Sequence, residues 1–387
     1  MLLGVARCSG IEAISAFLDP THVELAGRLT HFRETHLSTK PSAEDDEQAR
    51  RAARSILRGL GEAGFYAPIG SGDLRALCLT REQIAMASPL ADAVVALQAL
   101  GATPLVVAGS DAQRAQWLDG ILAGRIMTAF AMSEPGAGSD VAAMQCAAKR
   151  DGDHWVLDGE KHLISNAGIA DLYLVFARTA PGAGSRGISL FLVPATTPGL
   201  LFEGAQVMAA PHPLGRIRFD GCRVPPDALV GAENQGFKLG MITLDRVRPS
   251  VGAAACGMAA RALAETLDHA STRVQFGEPL ARFQLVREKI GRMATELEAA
   301  RLLVYRAAWE KDHGEERITL EAAMAKSYAT EAAQQIIDEA VQIAGGRGVL
   351  VGHPVERLYR AVRALRIYEG ATDIQRLIIA GELLKEV

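Results

Sequence analysis

The chain has 387 residues, enough for two or three domains and a large core. A net charge of -4 with 22% charged residues offers no footprint for nucleic acid or an anionic membrane surface, so a small molecule or another protein is the expected partner. The five cysteines, Cys8, Cys78, Cys146, Cys222 and Cys256, are scattered without a CxxC pair, which points away from a disulfide framework or a zinc site and toward a reducing compartment.

Residues 1–16 lack the basic head and continuous apolar run of a secretory signal and read as a loose N-terminal extension. No uninterrupted apolar run reaches the ~18 residues of a membrane-crossing helix, so no membrane span is expected. "DPTHVELAGRLTHFRETH" places Asp19 as N-cap and Pro20 at the first helical position, with Val23, Leu25, Leu29 and Phe32 at helical intervals. "AEDDEQARRAARSILRGLGEAG" carries acids in its first turn and glycines near its end, as a helix dipole favours. Further helical stretches follow around Leu77 to Leu100 and Asp111 to Ala123, so 17–125 reads as a helical domain.

From about Ile126 the pattern changes. "DGDHWVLDGEKHLISNAG", "DLYLVFAR", "GISLFLVP" and "GRIRFDGCRVP" are short β-branched or aromatic runs parted by Gly, Pro, Asn and Asp, and predict a small antiparallel barrel or sandwich over 126–232. Helical periodicity then returns over 233–387, with long segments near 235 to 272, 280 to 312 and 319 to 344 and a shorter one after Thr372, predicting an antiparallel bundle. Pro249 is expected to kink the first of these beside the small-residue run "VGAAACGMAARALAE". The order of helices, strands and helices is α+β rather than a βαβ alternation.

Several stretches carry chemistry. In "FAMSEPGAGSD" Gly136 and Gly138 can bring backbone N–H groups to an anion, with Ser139 adding a hydroxyl; an ordinary turn is the alternative. The stretch matches neither the dinucleotide GxGxxG fingerprint nor a P-loop. In "GEKHLISNAG" the run Leu163-Ile164-Ser165 could floor a flat ring and give it one hydrogen bond, or be a plain core strand before an Asn turn. Asp245 and Arg248 in "LDRVRPS" share a helix face, either as a surface ion pair or to meet an amide and a phosphate. Arg273 and Gln342 offer donors, and Gly345, Gly346 and Gly348 either admit a ligand or cap a helix. Glu369 in "IYEGATDIQR" is either a solvated surface carboxylate or, in an apolar cavity, a general base with a raised pKa.

Taken in order, "AMSEPGAGSD", "GEKHLISNAGIADLYLVFART", "NQGFKLGMITLDRVRP", "RVQFGEPLARFQLVREKIGRMA", "QIAGGRGV" and "PVERLYRAVRALRIYEGATDIQR" resemble the acyl-CoA dehydrogenase family over nearly the whole chain from about Phe17. The resemblance implies an N-terminal helical domain, a middle antiparallel β-barrel domain and a C-terminal four-helix-bundle domain. It also implies FAD as cofactor, an acyl-CoA substrate, an electron-transfer flavoprotein as electron acceptor, and a homotetramer built as a dimer of dimers. Separately, the excess of arginine over lysine suggests a GC-rich bacterial genome, and with the scattered cysteines a cytoplasmic setting is expected.

By that resemblance Phe130, Met132 and Ser133 meet the isoalloxazine edge, and Gly138 and Ser139 lie near the FAD phosphates and CoA. Leu163, Ile164 and Ser165 contact the ring. Arg273, Phe276, Gln284, Gln342, Ile343, Gly345 and Gly346 hold the FAD of a neighbouring subunit, and Ala371 and Asp373 add to the cofactor site. Ser139, Asp245, Arg248, Tyr368 and Gly370 bind substrate. Glu369 falls on the base that takes the α-proton while a hydride passes from the β-carbon to flavin N5, giving a trans-2-enoyl thioester. Two positions depart from the family pattern: Leu163 stands where a tryptophan is usual, and Ala371 where threonine is common. An oxygen-using relative, a dehydrogenase of acyl-carrier-protein thioesters and a non-catalytic binding protein of the same fold are the competing readings.

Overall fold

The computed structural model describes Cys8, residues 10–39 and residues 41–385. Helices α1 (Pro20–Phe32), α2 (Asp46–Glu62), α3 (Leu74–Ala87) and α4 (Pro89–Ala108) come first. Strands β1 (Thr128–Ala131), β2 (Ala147–Asp151), β3 (His154–Ser165), β4 (Leu172–Arg178), β5 (Ile188–Pro194), β6 (Leu200–Ala205) and β7 (Leu214–Val224) follow. Helix α5 (Gly236–Thr272), a hairpin of β8 (Val274–Gln275) and β9 (Glu278–Pro279), then α6 (Gln284–Asp312), α7 (Thr319–Ala344), α8 (Pro354–Leu365) and α9 (Thr372–Leu384) complete the order. This is the α+β sequence of helices, strands and helices expected from periodicity. By internal contacts the chain forms two compact units. One comprises Met1–Ser42, Asp73–Asp92 and Asp245–Val387; the other comprises Ala43–Gly72 and Ala93–Leu244.

In the second unit the strands form one sheet in the order β1-β4-β2-β3-β7-β6, with β5 on the other side of β4. β4 and β5 are apolar on both faces because both are buried almost throughout. β3 alternates instead, turning Trp155 and Leu157 into a core shared with Phe191, Ile217 and Phe219. The sheet is mixed rather than purely antiparallel: β1 runs parallel to β4, pairing Thr128 with Leu172 and Ala131 with Val175. β1, β2 and β6 escaped the sequence reading because each is six residues or shorter and lacks a sustained alternation of its own.

Helix α2 fixes the loop that follows β3. Asp45 caps it by accepting from the Gln48 N–H, and Ala49, Ala53, Leu57 and Leu60 form its buried stripe. Arg50 donates to the carbonyls of Ala167 and Leu214, each at 2.6 Å. One turn on, Arg54 donates to both Asp171 oxygens at 2.7 and 2.8 Å and to the Ile169 carbonyl at 2.6 Å. Asp171 also accepts from the Met127 N–H, so one carboxylate ties helix, loop and the approach to β1 together.

The other unit is helical. α5 carries "VGAAACGMAA" fully buried from Val251 to Ala260, and its glycines let neighbouring backbones come close. A Cβ on Gly257 would stand 2.0 Å from the Glu82 carbonyl oxygen of α3. Glu82 itself is buried and accepts from Arg301 Nε at 2.8 Å and from the Tyr305 hydroxyl at 2.9 Å.

Several expectations are corrected. The helix read over Leu77 to Leu100 is two helices, because Ser88 turns extended (φ -152°) and Pro89 opens the next. The amphipathic helix α8 was not foreseen; Pro354 starts it and Val355, Leu358, Ala361, Val362 and Leu365 form its buried face. The N-terminal extension is not loose throughout: Ile14 is buried, and the buried Cys8 accepts from Arg301 at 2.7 Å through its carbonyl, while residues 1–7 and 9 lie outside the described residues. Among the described residues one helix, Pro89–Ala108, is long and apolar enough to cross a membrane, and 78% of its most apolar window is buried within the protein, as in a core helix. All five cysteines are free and buried.

The α3–α5 contact yields a test of opposite signs. Gly257→Ala is expected to destabilise by about 1–3 kcal/mol, since the new methyl meets backbone that cannot rotate away. Gly291→Ala, in an exposed stretch of α6 with open space at its Cβ position, is expected to stabilise by roughly 0.5–1 kcal/mol. Denaturant midpoints of the two variants check both.

Candidate active site

Between α8 and α9 the chain makes a tight turn over residues 366–371. Its Glu369 has φ +54° and Gly370 φ +92°, and a left-handed glutamate costs about 1–2 kcal/mol unless its surroundings hold it. They do so through the carbonyls. Gly370 O accepts from Lys326 Nζ at 2.8 Å and from Gln375 Nε2 at 3.0 Å, while Glu369 O accepts from Arg248 Nε at 3.5 Å. Thr372 N closes the turn onto the Arg366 carbonyl at 3.0 Å.

The Glu369 side chain is shielded from solvent at Oε2, and that oxygen has no hydrogen-bond partner among the described residues. Burial raises the pKa of the carboxyl above the ordinary glutamate value; Arg81, Lys326 and Arg248 oppose the rise, and Asp92 adds to it. Arg81 is fully buried and forms a two-pronged pair with Asp92, Nε to Oδ1 at 2.8 Å and Nη2 to Oδ2 at 3.0 Å. Its third prong reaches Ser250 Oγ at 3.0 Å. Asp245 pairs with Arg248 at 2.6 Å and accepts from Thr319 Oγ1 at 3.0 Å. Three cations thus meet Asp92, Asp245 and Glu369, a set that is neutral with Glu369 ionised and carries one positive charge once Glu369 takes a proton. The Tyr368 hydroxyl beside them is pushed well up by burial.

This geometry bears on both Glu369 and Arg248. Glu369 is a buried, unpartnered acceptor rather than a solvated surface carboxylate. Arg248 is 4% exposed, and its guanidinium bonds Asp245 and reaches the Glu369 carbonyl, which sets its charge beside the carboxylate. Arg81, Asp92, Lys326 and Gln375 were missed. Buried charges on distant helices carry no local pattern, and only "TREQ" and "AKSY" within otherwise apolar helices hinted at them.

In the sheet unit the residues from Phe130 to Ser139 and from Leu163 to Ser165 come together. The His162 N–H donates to the Ser133 carbonyl at 3.0 Å. Buried Lys161 donates to Met132 O at 3.1 Å and to Glu134 Oε1 at 2.8 Å. Glu134 in turn accepts from the backbone N–H groups of Gln145 and Cys146, which leaves the SEPGAGS loop anchored at its base. Phe130 packs edge-on against Phe176 at 4.8 Å. Met132 and Ile164 are buried, whereas Leu163 lies at a break in the β3–β7 register with φ +55° and is 52% exposed. Ser165 Oγ is 2.7 Å from His212 Nε2, and burial holds that imidazole down to about 4.

In the helical unit Arg273, Phe276 and Gln284 stand on or beside the β8–β9 hairpin, and Gln342, Ile343, Gly345 and Gly346 lie where α7 ends. Phe276 is 97% exposed. Ala371 precedes α9, and Asp373 is an exposed first-turn acid of that helix. Gly136, Gly138, Gly345 and Gly346 all have open space where a Cβ would stand. An exposed apolar side chain beside a hydroxyl on one strand, and glycine loops with room beside the backbone, fit a flat ring and a pyrophosphate in kind.

Three family models match in succession: the acyl-CoA dehydrogenase N-terminal domain over residues 19–125, the middle domain over 129–222 and the C-terminal domain over 234–384. The human mitochondrial short-chain specific acyl-CoA dehydrogenase is 38% identical over 379 residues, covering 96% of this chain and 92% of its own. The butyryl-CoA dehydrogenase structure from Megasphaera elsdenii superposes with a TM-score of 0.89 at 31% identity, covering 95% of this chain and 99% of its own. A glutaryl-CoA dehydrogenase from Mycobacterium smegmatis, solved in complex with FADH2, gives a TM-score of 0.87 at 25% identity, with 96% of each chain covered. With all three domain models in order, and relatives matched over nearly their full length, the chain belongs to the acyl-CoA dehydrogenase family of FAD-dependent enzymes.

Proposed function

We propose that this enzyme removes hydrogen from Cα and Cβ of an acyl-CoA thioester to give a trans-2-enoyl-CoA, with Glu369 as the base for the α-proton. The observation that carries this reading is the buried, unpartnered Oε2 on a turn gripped by Lys326, Gln375 and Arg248. Bound FAD supplies the acceptor for the hydrogen and electron pair that leave the β-carbon.

The residues of the chain supply the rest. A thioester α-proton is too weakly acidic for a carboxylate in water, so the base needs a dry site and a field that favours the developing enolate. Burial strengthens Glu369 as a base by raising its pKa. Arg81, Lys326 and Arg248 oppose that rise and favour the ionised form that takes the proton. As it takes the proton, the one positive charge they are left with favours negative charge on the substrate. The Glu369 N–H is the proposed donor to the thioester carbonyl. Phe130, Met132, Ser133, Leu163 and Ser165 are proposed at the flavin ring, and Gly138 and Ser139 near phosphates.

Arg273, Phe276, Gln284, Gln342, Ile343, Gly345 and Gly346 are proposed to grip the FAD of a neighbouring subunit in a homotetramer. The exposure of Phe276, Leu285 and Val351, at 97, 78 and 83%, suits burial against another copy. An electron-transfer flavoprotein is the proposed acceptor for the reduced enzyme.

Purified protein is expected to be yellow and to bleach anaerobically on addition of an acyl-CoA, with little oxygen uptake in air. Rapid oxygen consumption would favour an oxidase, and a colourless protein that cannot be loaded with FAD would sink both readings. A panel of acyl-CoAs with an artificial electron acceptor sets the preferred chain.

Glu369→Gln is expected to retain FAD and ligand binding while kcat falls at least about 100-fold. In the wild type the base must be ionised and its pKa is raised, so activity should fall as pH drops through a value above the ordinary glutamate range. Stopped-flow flavin reduction across pH checks both statements.

A further inference from the structure

Lys326 is fully buried on α7, in the middle of a run of small residues. An ammonium without solvent is costly unless something recovers its hydration, and here it donates to the Gly370 carbonyl at 2.8 Å. That carbonyl belongs to the residue after Glu369 in a conformation that a glutamate rarely adopts. Gln375 reaches the same oxygen at 3.0 Å, so a charged donor on α7 and a neutral donor on α9 hold the turn together.

We propose that Lys326 is a positioning residue for the dehydrogenation, a buried ammonium that clamps the Gly370 carbonyl, holds the Glu369 turn in its left-handed form and supplies part of the charge that keeps Glu369 ionised. The proposal rests on Glu369 being the base. The charged groups around the pair come from every element packed there. They are Arg81 of α3, Asp92 of α4, Asp245 and Arg248 of α5, Glu331 of α7 and Arg366 of the turn itself, with the neutral Tyr368 hydroxyl as the further titratable group.

Burial pushes the Lys326 pKa down to about 8, with Arg248 adding to the shift and Glu369 opposing it. The ammonium is therefore charged below that pH and loses its charge as pH rises through it. Activity of the wild type then has two limbs, an acid one from Glu369 and an alkaline one from Lys326.

Three variants at this position test the proposal. Lys326→Met removes bond and charge at similar length; kcat should fall at least about tenfold, the acid limb should move to higher pH and the alkaline limb should vanish. Lys326→Gln, neutral but still a donor, should also move the acid limb, which keeps the test alive if the methionine variant does not fold. Lys326→Arg keeps the charge and should return the acid limb toward the wild type. The Glu369 carboxyl band, assigned by its loss in Glu369→Gln and titrated by infrared difference spectroscopy, reads the same shift without turnover.

A folded, FAD-loaded Lys326→Met enzyme with wild-type kcat and limbs would overturn the proposal. So would one that is slow but has an unmoved acid limb and unmoved carboxyl titration, because the lysine would then be merely structural. If Glu369→Gln keeps full turnover the reading of the base fails, while the infrared titration still decides whether Lys326 sets the ionisation of Glu369.

Discussion

A carboxylate withdrawn from water must be balanced by charges that are themselves withdrawn, and the helical unit is built around that constraint. Desolvation raises the pKa of Glu369 and so works against its ionised form. Arg81 and Arg248 oppose it, but each is pinned by an aspartate of its own, Asp92 and Asp245. Pinning fixes where the positive charge sits without cancelling it at Glu369. The cost of burying these ions is offset only because nearly every prong of each guanidinium is engaged.

The same constraint explains the packing. Helix α3 carries Arg81 and Glu82 in adjacent positions, and both are buried, one serving the Glu369 cluster and the other paired to Arg301 and Tyr305. α3 can be enclosed this far because α5 meets it through Gly257 and a run of alanines, at a distance no larger side chain would allow. Small residues on α5 are therefore as much a part of the active site as the charges are. They set how deep the charges lie.

In the sheet unit the principle is the same with different parts. Lys161 and Glu134 form a buried pair whose remaining bonds go to backbone, so the pair shapes a loop rather than a charge field. Arg50 and Arg54 do the corresponding job for the segment after β3. Leu163 is left half-exposed where the β3–β7 register breaks, between Lys161 and Ile164.

Much of this was legible in the order of the residues alone. Local periodicity separates helical from extended segments, and the joint order of motifs such as "AMSEPGAGSD" and "IYEGATDIQR" identifies the family and singles out Glu369, because both kinds of signal lie within short stretches of chain. Short strands such as β1 and β6 were illegible, since what makes them strands is the neighbour they pair with. The helix break at Ser88 did carry a local signal, since Ser88-Pro89 repeats the start seen at Asp19-Pro20, but the periodicity that continues on both sides hides it. Only the tertiary structure decided which charges surround Glu369. Lys326, Arg81 and Asp92 look like any other polar residues on a helix until the fold removes the water from around them. Burial is a property of all the neighbours at once, and no window of sequence contains it.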